Sequence, residues 1–66
     1  MKIVLNGKEV ELEKSVTLLE LVQSVKLPPE LVALELNLKI IKRSEYASTT
    51  VSDGDRIEIL QMIGGG

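Results

Sequence analysis

Cysteine, histidine, tryptophan and phenylalanine are absent from this sequence, and one tyrosine is its sole aromatic residue. A zinc or haem site built from cysteine and histidine is therefore excluded, as are a cysteine nucleophile and a Ser-His-Asp triad. Disulfide stapling is excluded for the same reason. The formal net charge is -2, and nucleic-acid binding needs clustered cations and stacking rings. We expect neither a bound metal nor a nucleic-acid partner.

Long apolar segments are also missing. No apolar run approaches the roughly 20 residues that span a bilayer, and no charged segment followed by an apolar one opens the chain as a secretory signal does. We therefore expect a cytoplasmic protein without membrane contact. The 66 residues, 44% of them hydrophobic, suit one small folded domain with an aliphatic core.

The first twelve residues predict a β-hairpin. Asn6-Gly7 is favoured in type I′ turns, because both central positions of that turn need a positive φ. The strand after the turn alternates polar and apolar residues, which directs Val10 and Leu12 towards the core. The same alternation on the first strand directs Val4 to the opposite face of the sheet.

A short amphipathic helix is predicted next. Thr17 and Glu20 have the spacing of a capping box, so the helix should begin after Thr17. Pro28-Pro29 cannot continue a helix, which should therefore end by residue 26 or 27. The apolar positions repeat with helical spacing and predict one face packed on a sheet: Leu18, Leu21, Val22 and Val25.

The second half predicts strands over residues 31–36, 39–41 and 56–61, with a polar irregular segment at residues 42–48. One amphipathic helix covers one sheet, which gives an α+β domain of two layers. The element order favours a ubiquitin-like β-grasp fold, with a mixed sheet of four or five strands and one helix packed across it. A ferredoxin-like fold would need a second helix, which residues 42–48 lack the apolar stripe to form. We assign residues 1–63 to this domain and residues 64–66 to a flexible glycine tail.

Three glycines, Gly64, Gly65 and Gly66, follow the last strand. On its own such a run is as typical of a frayed or engineered tail as of a functional one. The functional interpretation is that the α-carboxylate of Gly66 reacts, because glycines can thread a channel too narrow for side chains. At about 3.3–3.6 Å per residue the tail would reach on the order of 13 Å into a partner. The partner must activate the carboxylate, since the chain has no nucleotide-binding glycine loop.

Four apolar residues predict a partner-docking patch beside this tail. Val4 and Leu60 are expected on the sheet face turned away from the helix, and Met62 and Ile63 lead from there to the glycines. A contiguous apolar patch marks a binding surface. The alternative is a scatter of surface aliphatic residues, which is common in soluble proteins.

The remaining polar residues predict structural roles. Asp53 and Asp55 lie in an Asp-Gly-Asp turn without the further ligands that a metal ion needs. Lys42 and Arg43 form a solvated basic pair that an acidic partner could use. Tyr46 is expected to cap the edge of the core with its hydroxyl in water.

Two segments resemble the sulfur-carrier proteins of thiamine biosynthesis, the ThiS family. They are residues 36–46 (LNLKIIKRSEY) and residues 51–59 (VSDGDRIEI), and the Gly65-Gly66 ending adds to the resemblance. The family often has proline at the position of Lys42 and tryptophan at that of Tyr46, which leaves the shape of this loop open. The related small subunits of molybdopterin synthase also end in Gly-Gly, but are usually longer and richer in aromatic residues.

The resemblance implies a carrier protein and not an enzyme. An E1-like adenylyltransferase of the ThiF type would adenylate Gly66 with ATP and magnesium, while the carrier itself binds no cofactor. Sulfur from a cysteine desulfurase or a persulfide would then replace AMP to give a thiocarboxylate, which thiazole synthase (ThiG type) would use to build the thiazole ring. We expect a monomer when the carrier is free. A carrier for another pathway and a β-grasp binding module without carrier function remain as alternatives.

Overall fold

Five strands and one helix form the described part of the chain, which is residues 1–62 of a computed structural model. The strands are β1 (Lys2–Leu5), β2 (Lys8–Glu11), β3 (Val32–Leu36), β4 (Lys39–Ile41) and β5 (Arg56–Gln61), and the helix is α1 (Leu18–Ser24). The sheet order is β2-β1-β5-β3-β4, with β1 parallel to β5 and the other neighbours antiparallel. The predicted α+β architecture, a mixed sheet with one helix, is confirmed. Among residues 1–62, no helix has both the length and the apolar character that spanning a bilayer requires.

Two tight turns of the same kind connect neighbouring strands. Asn6 and Gly7 have φ values of 50° and 81° between β1 and β2, as the Asn-Gly dipeptide predicts. Asn37 and Leu38 have φ values of 52° and 70° between β3 and β4. A leucine in this left-handed region costs roughly 1–2 kcal/mol, and glycine at Gly7 avoids that cost.

The capping box at the start of α1 forms as predicted. The backbone N–H of Glu20 donates to Thr17 Oγ1 over 3.1 Å, and the backbone N–H of Thr17 donates to the Glu20 carboxylate over 2.9 Å. The helix ends within the predicted limit of residue 26 or 27. Ser24 is the last helical residue, because Val25 forms the C-cap and Lys26 adopts a φ of 61°.

The segment between α1 and β3 is less extended than predicted. Pro29–Leu31 forms a 3₁₀ turn, so β3 begins at Val32 and not at Leu31. Proline at the first position of such a turn supplies a fitting φ and loses no hydrogen bond. A second 3₁₀ turn, Arg43–Glu45, lies within the segment predicted to be irregular.

The core lies between α1 and one face of the sheet, and all but one of its members are aliphatic. It contains Ile3, Leu18, Leu21, Val22, Val32, Leu34, Tyr46, Val51, Ile57 and Ile59. Val25, the last position of the predicted helical stripe, is exposed because it follows the final turn of α1. The placement of Tyr46 also needs correction, since its side chain is only 3% exposed and belongs to the core instead of capping its edge.

Tyr46 is buried because residues 46–51 cross the N-terminal end of α1. The N–H of Leu18 donates to the carbonyl of Thr49 over 2.9 Å, and the N–H of Leu19 donates to the carbonyl of Tyr46 over 3.0 Å. The first N–H groups of a helix have no partner within it. Here the crossing segment satisfies two of these donors, and the capping box satisfies the donor on Glu20.

Candidate functional site

β5 is the strand that leads to the glycine tail, and it is hydrogen-bonded on both sides. Pairing to the β3 side continues past the end of the strand, because the N–H of Met62 donates to the carbonyl of Leu31 over 2.7 Å. The chain is thus held to the sheet up to Met62. Four predicted site residues, Ile63, Gly64, Gly65 and Gly66, lie outside the described residues.

On the β1 side, the Asn6 side chain holds β5 beyond the point where β1 ends. The N–H of Ile59 donates to Asn6 Oδ1 over 2.7 Å, and Asn6 Nδ2 donates to the Ile59 carbonyl over 3.3 Å. The backbone N–H of Asn6 adds a bond of 2.9 Å to the carbonyl of Ile57. The Asn6 carboxamide therefore forms the hydrogen bonds to Ile59 that a further residue of β1 would form.

Asn37 holds the start of β5 in a similar way from the β3 side. The N–H of Arg56 donates to Asn37 Oδ1 over 2.9 Å, and Asn37 Nδ2 donates to Asp55 Oδ1 over 3.0 Å. The Asn-Gly pattern identified Asn6 as a turn residue only, and Asn37 lies between two predicted strands, so neither side-chain role was predicted. The presence of asparagine at the first position of both tight turns was the one signal that could have suggested a common role.

The Asp53-Gly54-Asp55 turn also positions β5. Asp53 Oδ1 accepts the N–H of Lys2 over 2.6 Å, and Asp55 Oδ2 accepts the N–H of Ser52 over 2.7 Å. The two carboxylates thus accept backbone hydrogen bonds, as expected of a turn. Residues 1–62 contain no group of three or more acidic, histidine or cysteine side chains that could hold a metal ion.

The structure separates the residues of the predicted docking patch. Residues opposite each other on neighbouring strands share a face of the sheet, and the face turned away from α1 carries both Val4 and Leu60. Val4 lies opposite Arg56, whereas Leu60 lies opposite Ala33. These positions on β5 are four residues apart, which is roughly 13 Å along a strand. Val4 therefore does not lie beside Leu60.

Val4 instead lines an open groove at the far end of this face. Its other lining residues are Asn37, Leu38, Gly54 and Arg56. The side chain of Leu38 is 80% exposed, and its backbone is in the left-handed region. The groove lies at the beginning of β5 and so at the opposite end of that strand from the tail.

A different apolar cluster lies where β5 approaches the tail, and we call it the exit patch. It consists of Leu31, Leu60 and Met62, which are 45%, 50% and 55% exposed. Leu60 and Met62 were predicted, and Leu31 joins them through the hydrogen bond from Met62. Leu31 could have been found from the alternation of the strand predicted over residues 31–36, which places it on the same face as Ala33, the partner of Leu60. The exit patch is the apolar surface adjoining the end of the described chain.

A family model, a curated relative and a solved structure name the same family. A family model described as the ThiS family matches residues 3–66. The sulfur carrier protein ThiS of Bacillus subtilis is 38% identical over 63 residues, covering 94% of this chain and 96% of that protein. A crystal structure of the thiamine biosynthesis protein ThiS from Geobacter metallireducens matches with a TM-score of 0.86 at 36% identity, covering 100% of both chains.

A longer relative matches as well. The thiazole synthase of Paramagnetospirillum magneticum is 42% identical over 66 residues, which is 100% of this chain but 20% of that protein. The chain therefore spans about a fifth of the length of that thiazole synthase, and the same holds for the thiazole synthase of Magnetococcus marinus.

Proposed function

This chain belongs to the ThiS family, and on that premise we propose that it carries sulfur for thiamine biosynthesis on the α-carboxylate of Gly66. The observation that carries the proposal is the family match, which runs through residue 66 and so includes the glycine run. The chain lacks the histidine and cysteine side chains that most often perform acid–base or nucleophilic catalysis. It would therefore act as a substrate that is charged and discharged, and not as a catalyst.

The charging chemistry requires activation, because a carboxylate at neutral pH is a poor acyl donor. An oxygen of the Gly66 carboxylate would attack the α-phosphorus of ATP, and pyrophosphate would leave to give an acyl adenylate. A sulfur nucleophile would then attack the acyl carbon and expel AMP. With a persulfide donor the product is an acyl disulfide, and a thiol supplies the two electrons that cleave it to the thiocarboxylate.

The partners follow from this chemistry. We propose an E1-like adenylyltransferase of the ThiF type, which would bind the ATP and magnesium, and a cysteine desulfurase or persulfide as the source of sulfur. Thiazole synthase (ThiG type) is the proposed acceptor. Two thiazole synthases include a segment similar to this whole chain. This supports the proposal that a carrier of this kind acts together with thiazole synthase.

The fold supports the role by separating docking from reaction. β5 is held on both sides, and the hydrogen bond of Met62 keeps the chain on the sheet to that residue. The four residues that follow span at most about 14 Å when fully extended. A partner that covers the exit patch could therefore receive Gly65 and Gly66 in its active site, where no Cβ would obstruct them.

The test is intact-mass spectrometry of the chain ending at Gly66. After incubation with ATP, magnesium, a ThiF-type adenylyltransferase and a sulfur donor, we expect one terminal oxygen to be replaced by sulfur. The sulfur carrier ThiS of Bacillus subtilis serves as the positive control for the enzymes. An unchanged mass, under conditions that charge this control, would overturn the proposal.

Gly65→Val tests the role of the tail. The added side chain should obstruct threading, so we expect at least a tenfold slower appearance of the thiocarboxylate with an unchanged unfolding transition. Glu13→Gln, an exposed change between β2 and α1, is the control and should charge normally. Normal charging of Gly65→Val would contradict the threading of Gly65.

A further inference from the structure

The tight turn between β1 and β2 combines an asparagine with a following glycine, and both residues are exposed. In such a pair the backbone nitrogen of the glycine can attack the side-chain Cγ of the asparagine, because glycine has no Cβ to crowd the approach. A bond forms between Gly7 N and Asn6 Cγ, and the bond from Cγ to Nδ2 breaks. Nδ2 leaves as ammonia with the proton of the Gly7 N–H. Water then opens the cyclic imide to aspartate or isoaspartate, without oxidation or reduction.

The folded chain holds Asn6 in an arrangement that opposes this reaction. Its Oδ1 accepts the N–H of Ile59 over 2.7 Å and its Nδ2 donates to the Ile59 carbonyl over 3.3 Å, and both bonds are partly buried. Its backbone N–H donates to the carbonyl of Ile57. Ring closure expels Nδ2 and turns the side chain towards its own backbone, so it cannot proceed while both bonds to Ile59 are intact. The reaction therefore requires a local opening of the turn.

The turn between β3 and β4 is a matched comparison within the same chain. Asn37 has a φ of 52°, close to the 50° of Asn6, and its carboxamide also holds β5, at the N–H of Arg56. Two features differ. The side chain of Leu38 crowds the nitrogen that would attack Asn37, and the side-chain bonds of Asn37 are exposed to solvent. Of the two asparagines in the sequence, Asn6 alone is followed by glycine.

We propose that Asn6-Gly7 is a site of spontaneous deamidation, that the two bonds to Ile59 slow it in the native chain, and that the reaction loosens β5. Aspartate at this position lacks the Nδ2 donor and leaves a carboxylate oxygen facing the Ile59 carbonyl. Isoaspartate also lengthens the backbone of the tight turn by one methylene. Ile59 precedes Met62 on the strand that leads to the tail, so the change falls on the support of that strand. The inference does not depend on the proposed function.

The experiment incubates the full chain in mildly alkaline buffer, with and without a denaturing concentration of guanidinium chloride, and follows tryptic peptides by mass spectrometry. The peptide with Asn6 should gain the mass difference between amide and acid at least tenfold faster in the denaturant, because the open turn is a minor state of the folded chain. The peptide with Asn37 should change far more slowly in both conditions. Asp53-Gly54 can form the same imide, but its products have the mass of the starting chain.

Leu38→Gly separates the effect of the following residue from that of the hydrogen bonds. Glycine suits the φ of 70° at this position, so the fold should be kept while both turns become Asn-Gly turns. In denaturant the two asparagines should then react at similar rates. In buffer Asn37 should react severalfold faster than Asn6, because its solvent-exposed bonds open more readily. A slower reaction at Asn37 in buffer would contradict protection by the bonds to Ile59.

Asn6→Asp measures the consequence for the fold. It should lower the urea midpoint, because the Ile59 carbonyl loses its donor and meets a carboxylate oxygen. Gln61→Glu makes the same change of amide to acid at an exposed position of β5, and should leave the midpoint unchanged. Three results would overturn the inference: no reaction at Asn6 in the unfolded chain, equal rates there in the folded and unfolded chain, or an unchanged midpoint of Asn6→Asp.

Discussion

Asn6 combines a backbone role with a side-chain role. Asparagine tolerates the left-handed region better than most residues other than glycine, so it can form the first position of the tight turn. Its carboxamide then exchanges two hydrogen bonds with the backbone of Ile59, at a partly buried position. Asn37 has the same backbone conformation, but its side-chain bonds are exposed to solvent. The two asparagines therefore have the same backbone conformation and differ in the burial of their side-chain hydrogen bonds.

This difference predicts unequal losses on substitution by glycine, which retains the left-handed φ and removes only the carboxamide. Asn6→Gly should lower the free energy of unfolding by about 1–3 kcal/mol, because the Ile59 peptide loses partners in a partly buried place. Asn37→Gly should cost less than about 1 kcal/mol, because water replaces its bonds. Urea denaturation measures both values. Equal losses would show that the bonds to Ile59 have no special weight.

At the scale of elements, α1 is a helix of seven residues, too short to be stable alone. Its start is held by the capping box and by residues 46–51, and its buried face contributes three core residues. Contacts with the core therefore stabilise the buried face of α1, and the capping box stabilises its first turn.

Thr17→Ala should remove the local contribution. We expect a loss of about 1 kcal/mol, which corresponds to a decrease of roughly 4–8 °C in Tm for a domain of this size. Ser24→Ala is the control in the same helix, because its hydroxyl donates only to the Leu21 carbonyl at the other end. Thermal unfolding measures the Tm of both variants. An equal decrease in Tm for Ser24→Ala would contradict a specific role of the N-cap.

The same local signals account for what could be predicted of the elements. The Asn-Gly turn, the capping box and the alternation of β5 act within a few residues of the chain, and each was confirmed. The burial of Val25 and the placement of Tyr46 at the edge of the core were predicted wrongly. Tyr46 is buried because its segment crosses the start of a helix more than 20 residues earlier.

At the scale of the whole molecule, the sheet has one face on the core and one face open. Ile59 and Leu60 are adjacent in sequence and lie on opposite faces, with exposures of 7% and 50%. Ile59→Ala should lower the free energy of unfolding by about 2–5 kcal/mol, because it leaves a cavity in the core. Leu60→Ala should change it by less than about 0.5 kcal/mol, while weakening binding to the activating enzyme. Chemical denaturation and calorimetry measure the two effects, and a large stability loss at Leu60 would place it in the core.

Local sequence patterns were sufficient for the five strands and the α-helix, the faces of the strands and the aliphatic nature of the core, but not for the two 3₁₀ turns. Those properties depend on residues a few positions apart, and backbone geometry relates such residues directly. The patterns were not sufficient to predict which side chains lie next to each other on a face of the sheet. Val4 was predicted beside Leu60 and lies near Arg56, Leu31 completes the exit patch, and Glu35 faces Glu58. These neighbours depend on the sheet order β2-β1-β5-β3-β4 and on the register between strands far apart in sequence, which packing of the whole core selects.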